Sequence, residues 1–226
     1  FSEREKRALV AAGTAAGFAA AYNTPLAAIL FVLEVMLGVV TLDVLIPVAL
    51  ATAVGTVLTR ALAGGGPIYG TREFAFGSGG ELVAFALLGL VAALAGVGFA
   101  QLLGLGERTF ARIKLARPWR AAIGGLVVGL IACFMPAVSG NGYEPIHWIL
   151  DGRLPLWFLL TLALAKAVAS TASVTSGSPG GVFTPTMLIG ASLGGAFALV
   201  LVASGLAEGA SLGGYALVGM AAHIDG

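Results

Sequence analysis

Gly177-Ser178-Pro179-Gly180-Gly181-Val182-Phe183-Thr184-Pro185 decides how this chain is read. Four of its first five positions are glycine or proline, which ordinary helix interior does not hold. An apolar run follows, through Met187-Leu188-Ile189 to Leu201. The pattern predicts irregular backbone that opens into a helix at about Val182. A helix start carries unpaired N–H groups and a partial positive charge. At membrane depth such a start survives only where protein buries it or where it lines a cavity. Broken helices that aim their starts at the bilayer midplane hold anions in transporters. Val182 and Phe183, with Gly181 beside them, are therefore candidate backbone donors to an anion. Gly177, Ser178, Pro179, Gly180 and Pro185 would shape the loop that presents them. A helix merely capped after a loop would look the same, and this stretch alone leaves both open.

Composition supplies the membrane. The chain is 58% hydrophobic and 10% charged, against about 25% charged in soluble domains. Its apolar runs are helical in length, and none alternates as a β-barrel strand would. The 34 glycines, with many alanines, suit close helix–helix packing. Net charge is +1, so there is no nucleic-acid footprint. Cys133 lies in the apolar run Ile131-Ala132-Cys133-Phe134 and is expected to be a small buried residue. The chain opens at Phe1 and stops at Gly226 beside an apolar run, which reads as part of a longer protein.

Ser2-Glu3-Arg4-Glu5 has capping-box spacing and should start a helix over 3–22. Ala12-Gly13, Ala16-Gly17 and Ala20-Ala21 give that helix a small-residue face at four-residue spacing. Asn23 or Thr24 should cap the next helix, with Pro25 in its first turn. That helix, about Pro25 to Leu37, is too short to cross a ~30 Å hydrocarbon core. Glu34 follows eight uncharged residues, so it is an intramembrane or boundary carboxylate and a functional candidate. An interfacial glutamate that snorkels or pairs is the competing reading.

Spans are expected at 42–62, 81–105, 121–135, 155–173 and 183–203, with another beginning at 213–222. Polar loops should cover 64–80 and 139–143, and a short helix 144–150. His147 and Trp148 suit an interfacial belt. A lone histidine has no partner at metal-ligand spacing, so no metal site is expected. Arg108, Arg112, Lys114, Arg117 and Arg120 form the densest basic cluster and, with Arg4, Lys6 and Arg7, mark the cytoplasmic side. Lys166 lies in the middle of its span; it would pair or snorkel, with direct anion contact the second choice. Residues 215–222 echo 9–16, which hints at a two-repeat transporter whose second copy runs past Gly226.

Two stretches together carry a resemblance. Residues 12–34, Ala-Gly-Thr-Ala-Ala-Gly-Phe-Ala-Ala-Ala-Tyr-Asn-Thr-Pro-Leu-Ala-Ala-Ile-Leu-Phe-Val-Leu-Glu, resemble a signature of the CLC chloride channel and transporter family. Ser176 to Pro185 resembles its Gly-x-Phe-x-Pro motif, and Pro136-Ala137-Val138-Ser139-Gly140-Asn141-Gly142 is similar to a further family loop. Order and spacing agree, and the resemblance covers essentially the whole chain.

The resemblance implies an all-α membrane protein, a CLC-type inverted-repeat bundle of tilted and broken helices. Residues 1–226 would be the central part of one such domain, truncated at both ends. It implies a homodimer in the cell membrane with one anion pathway per subunit, Pro25 to Met36 at the dimer interface, and chloride as the ligand, with no cofactor. By the resemblance, the amides of Val182 and Phe183 contact the central anion. The family's Gly-Ser-Gly-x-Pro loop, its Gly-x-Glu-Gly-Pro loop with the gating glutamate and its late tyrosine have no counterpart here. The chain alone is therefore not expected to form a complete pore.

In proton-coupled members the residue after the position of Glu34 is typically a second acid. Here it is Val35, which cannot carry a proton. Glu34 is its neighbour, but successive helical residues point about 100° apart. Passive chloride conduction is the expected function, with a chloride/proton antiporter of the same family as the alternative. An unrelated secondary transporter with a chance likeness is a third reading. An intramembrane enzyme would need a nucleophile with its base, or clustered ligands, at membrane depth. Two histidines and one cysteine, all scattered, supply neither.

Overall fold

A computed structural model describes residues 2–38, 41–66, 68–70, 72, 74, 79–206 and 211–224. The loop expected over 64–80 falls in part, and the end at Gly226 wholly, outside the described residues. Among the described residues there is no strand. The chain divides into two compact units, residues 1–72 and 73–226.

The first unit contains α1 (Glu3–Tyr22), α2 (Pro25–Phe31), a π-helical segment (Val32–Leu37) and α3 (Leu42–Ala63). The capping box forms as expected: Glu5 N donates to Ser2 Oγ at 3.3 Å, and Ser2 N to the Glu5 carboxylate at 2.7 Å. Ala11, Ala15 and Ala19 are buried at four-residue spacing, with Ala12 beside them. The period is the expected one, but Gly13 and Gly17 face open space. The close approach comes from α3 instead, where a Cβ on Gly55 would lie 3.1 Å from Ala16 O. Thr52 and Thr56 are buried on α3 and return their hydroxyls to Val48 O at 2.6 Å and Thr52 O at 2.8 Å. That satisfies a hydroxyl without water.

Neither Asn23 nor Thr24 caps α2 through its side chain. Asn23 closes α1 in the left-handed conformation, φ 54°, which asparagine tolerates better than most residues. Its side chain then clasps the far end of α3. Nδ2 donates to Gly65 O at 3.2 Å and to Gly66 O at 3.0 Å, and Oδ1 accepts from Arg60 Nε at 2.7 Å. Asn23→Ala should cost about 2 kcal/mol from lost hydrogen bonds and left-handed strain. Asn23→Gly keeps the conformation and should cost about half as much. Thermal melts of the intact protein in detergent check both, and equal melts for the two variants would remove the strain contribution.

The second unit contains α4 (Gly80–Arg112), α5 (Arg117–Phe134), a 3-10 turn (Pro136–Val138), α6 (Tyr143–Leu150), α7 (Leu156–Thr175), α8 (Phe183–Ala203) and α9 (Leu212–Ile224). α4 was expected to end at Leu105; it runs on through the charged residues 107–112 because leaving an apolar region does not end a helix of good helix formers. Among the described residues, α3, α4, α5, α7 and α8 are long and apolar enough to cross a membrane. In α7 and α8, 50% and 56% of the best apolar window is buried by protein, against 6% in α5. Cys133, on α5, is exposed and not buried. In an apolar chain hydrophobicity does not separate protein-facing from lipid-facing positions, so its apolar neighbours did not imply burial.

α8 and α9 meet backbone to backbone. A Cβ on Gly190 would lie 2.4 Å from Gly219 O, and one on Gly194 2.2 Å from Tyr215 O. Gly190 and Gly194 are four apart on α8, the small-xxx-small frame of close helix crossings. His223 Nδ1 lies 3.0 Å from Ala92 O and ties α9 to α4.

Candidate functional site

α7 ends at Thr175, and Gly177 follows at φ 92°, a conformation that favours glycine. A Cβ there would lie 3.4 Å from Arg117 Nε. Ser176 is buried, and its hydroxyl donates to Ser173 O at 2.8 Å. The chain then passes Pro179 and two exposed glycines before α8 begins at Phe183. Val182 is the N-cap, with φ −100° and ψ −19°, and no side chain caps the helix. Val182 O accepts from Thr186 N at 3.0 Å. Among the described residues no protein acceptor takes the N–H of Gly181 or Val182. Pro185, in the first turn, has no N–H to offer.

A cavity of about 270 Å³ opens beside this helix start. Gly180, Gly181, Thr184 and Pro185 form one wall. Val138, Ser139, Gly140 and Asn141 form a second. Lys166, Ala169, Ser170, Ser173 and Val174 of α7 form a third, with Val128 of α5 alongside. The structure thus joins the Gly-x-Phe-x-Pro stretch to the 136–142 loop across one cavity of mixed polar and apolar lining. Gly180, Gly181 and Pro185 line it; Val182 and Phe183 stand at the helix start but do not line it, and neither do Gly177, Ser178 or Pro179.

Lys166 does not snorkel. It is 4% exposed, and its ammonium donates to Val138 O at 2.8 Å and Gly140 O at 2.7 Å. Gly140 holds φ 65° and Gly142 φ 80°. Leu188 of α8 approaches Gly142 so closely that a Cβ there would lie 2.9 Å from Leu188 Cδ2. The loop is therefore held by α7 through Lys166 and by α8 through Leu188.

Ser170 and Ser173 are lining residues that the motif reading did not name, and Thr184, quoted in the motif, is one to which it gave no role. The signal was present for both serines. Lys166, Ser170 and Ser173 fall at i, i+4 and i+7 of α7, one polar stripe of helical period.

Glu34 and Val35 belong to the first unit. Both are exposed, Val35 by 67%. They lie in the π-helical segment, which ends at Gly38 with φ 65°. π turns within helices recur at functional sites. Among the described residues no ion pair involves Glu34.

Comparison with known proteins adds the following. The family model described as "Voltage gated chloride channel" matches residues 1–225. A "Voltage-gated ClC-type chloride channel ClcB" of Salmonella typhimurium is 39% identical over 197 residues, 86% of this chain and 47% of that protein. One of the same description from Citrobacter koseri is 38% identical over 188 residues, 82% of this chain and 45% of that protein. The chain spans about half the length of the curated relatives it matches. Among solved structures, a "CLC-type fluoride/proton antiporter" is 26% identical with a TM-score of 0.77, over 96% of this chain and 53% of that one. A "slow cyanobacterial Cl-/H+ antiporter" is 22% identical with a TM-score of 0.83, over 99% of this chain and 53% of that one, a likeness of fold.

Proposed function

The chain belongs to the voltage-gated chloride channel, or CLC, family of integral membrane proteins, and on that premise we propose that the protein carries chloride or a similar small anion across the bilayer. The observation that carries this reading is the uncapped start of α8 beside a cavity that Ser139, Asn141, Lys166, Ser170, Ser173 and Thr184 help to line. N–H groups without a protein acceptor at Gly181 and Val182, with the helix dipole behind them, would replace part of an anion's hydration shell. No ring of arginines or lysines is needed for that.

Conduction is read as passive. By the family resemblance Val35 stands where proton-coupled members typically carry an acid, and a valine has no proton to pass. The ClcB relatives are described as channels. The antiporter reading is favoured by the two solved structures, both described as proton antiporters. Residues 1–226 are proposed to be the central part of one transmembrane domain that pairs with a second copy. Leu26 and Leu30 on α2, 77% and 63% exposed, suit an apolar partner.

Chloride efflux and external pH, recorded together from liposomes holding the intact protein, test the function. Efflux without uphill proton movement supports the channel; coupled proton movement makes it an exchanger; absence of chloride flux in a folded protein removes chloride as the ligand, and absence of flux for fluoride and other small anions as well removes the proposal. Val35→Glu in the same assay is expected to introduce proton movement. An unchanged pH trace would show that other groups set the coupling.

A further inference from the structure

Lys166 is the only charged residue between Leu156 and Ala203, and it lies mid-helix in a span. Burying an ammonium is costly unless it is paired and hydrogen-bonded. Its hydrogen bonds are partly met by Val138 O and Gly140 O. Among the described residues no carboxylate lies within ion-pair distance of it. An ammonium has three N–H groups, and two have protein acceptors here. The side chain lines the same cavity as Gly181 and Thr184.

We propose that the anion in this cavity is the counter-ion of Lys166, which supplies the fixed positive charge of the pathway and at the same time holds the 138–140 loop as its wall. This rests on the reading of the chain as part of an anion pathway. The division of labour is physical. Helix-start amides set short-range geometry and carry only partial charge. A full charge in a low-dielectric setting draws an anion from further away. Lysine suits such a role because its compact ammonium can hold two carbonyls and still turn a third N–H to a mobile ligand.

The test separates charge from hydrogen bonding. Lys166→Gln keeps an NH2 group for the carbonyls and removes the charge; Lys166→Arg keeps the charge. Chloride flux into liposomes holding the intact protein is measured against chloride concentration, with a thermal melt to establish folding. The wild type must first carry chloride, since failure there overturns the functional reading and not the role of Lys166. The glutamine variant is expected to raise the half-saturating chloride concentration by about tenfold or more, a loss on the scale of one charge-assisted contact. The arginine variant should stay within about threefold of the wild type. A folded glutamine variant with unchanged half-saturation overturns the proposal. If the glutamine variant does not fold, the arginine variant decides: retained flux supports the charge, and a folded variant that has lost its flux overturns it.

Discussion

Gly194→Val is expected to leave no correctly packed protein, recoverable neither as a single peak in detergent nor with a cooperative melt. A Cβ at Gly194 would sit 2.2 Å from Tyr215 O and 2.8 Å from Ala216 Cα. A flexible side chain in the way could rotate, but these atoms belong to the backbone of α9. The approach is reciprocal, because a Cβ on Gly219 would lie 2.3 Å from Gly190 O. Relief requires α8 and α9 to separate along their length, and that opens the cluster of Leu88, Ala198 and Tyr215. Overpacking in a compliant core costs about 1–3 kcal/mol. Against backbone, even Gly194→Ala should reach at least the top of that range, and valine should exceed it. Gly129→Ala is the control, since nothing lies within 4 Å of a Cβ there. It should be neutral or stabilising by up to about 1 kcal/mol through helix propensity. Equal melts for Gly194→Ala and Gly129→Ala would refute the close crossing.

Val182→Pro should leave a folded protein that has lost most of its anion flux. Val182 has φ −100° and sits at the N-cap, so a proline ring needs only a modest adjustment. Val182 O still accepts from Thr186 N, which preserves the first turn of α8. What disappears is one N–H. A hydrogen bond to a charged group contributes about 1.5–3 kcal/mol, so anion affinity should fall about tenfold to a hundredfold. Gly129→Ala is the control. Its Cβ meets nothing within 4 Å, and it lies outside the cavity lining, so flux should stay within about threefold of the wild type. A folded Val182→Pro protein with wild-type flux would show that this amide does not contact the anion.

Local chemistry was legible residue by residue. The capping box at Ser2 and Glu5 placed the start of α1, and the run of glycine and proline before Val182 placed that of α8. Both signals act within a few residues of the backbone they control. The end of α4 was harder. Arg108 and Arg112 mark where the chain leaves an apolar setting, and the helix continues through them. On α1 the period of the small residues was right, yet the buried stripe runs through Ala11, Ala15 and Ala19 and leaves Gly13 and Gly17 open. Four-residue spacing is a property of one helix; which face is covered depends on its neighbour.

Asn23 and Lys166 mark the same boundary at the sites. Their residue types singled them out, but their roles came from elsewhere in the chain. The acceptors of Asn23 are the carbonyls of Gly65 and Gly66, and those of Lys166 are the carbonyls of Val138 and Gly140. The partners of a mid-span lysine were not legible because a backbone carbonyl is common to every residue and leaves no mark in a sequence. From residue order alone come the membrane setting, the helices, the broken start at Val182 and the family. Folding in three dimensions decided that Lys166 turns to a loop and not to the surface, that this loop and the start of α8 share one cavity, and that Cys133 is exposed. Those outcomes depend on which backbones approach one another, and the glycines that permit the approach do not name their partners.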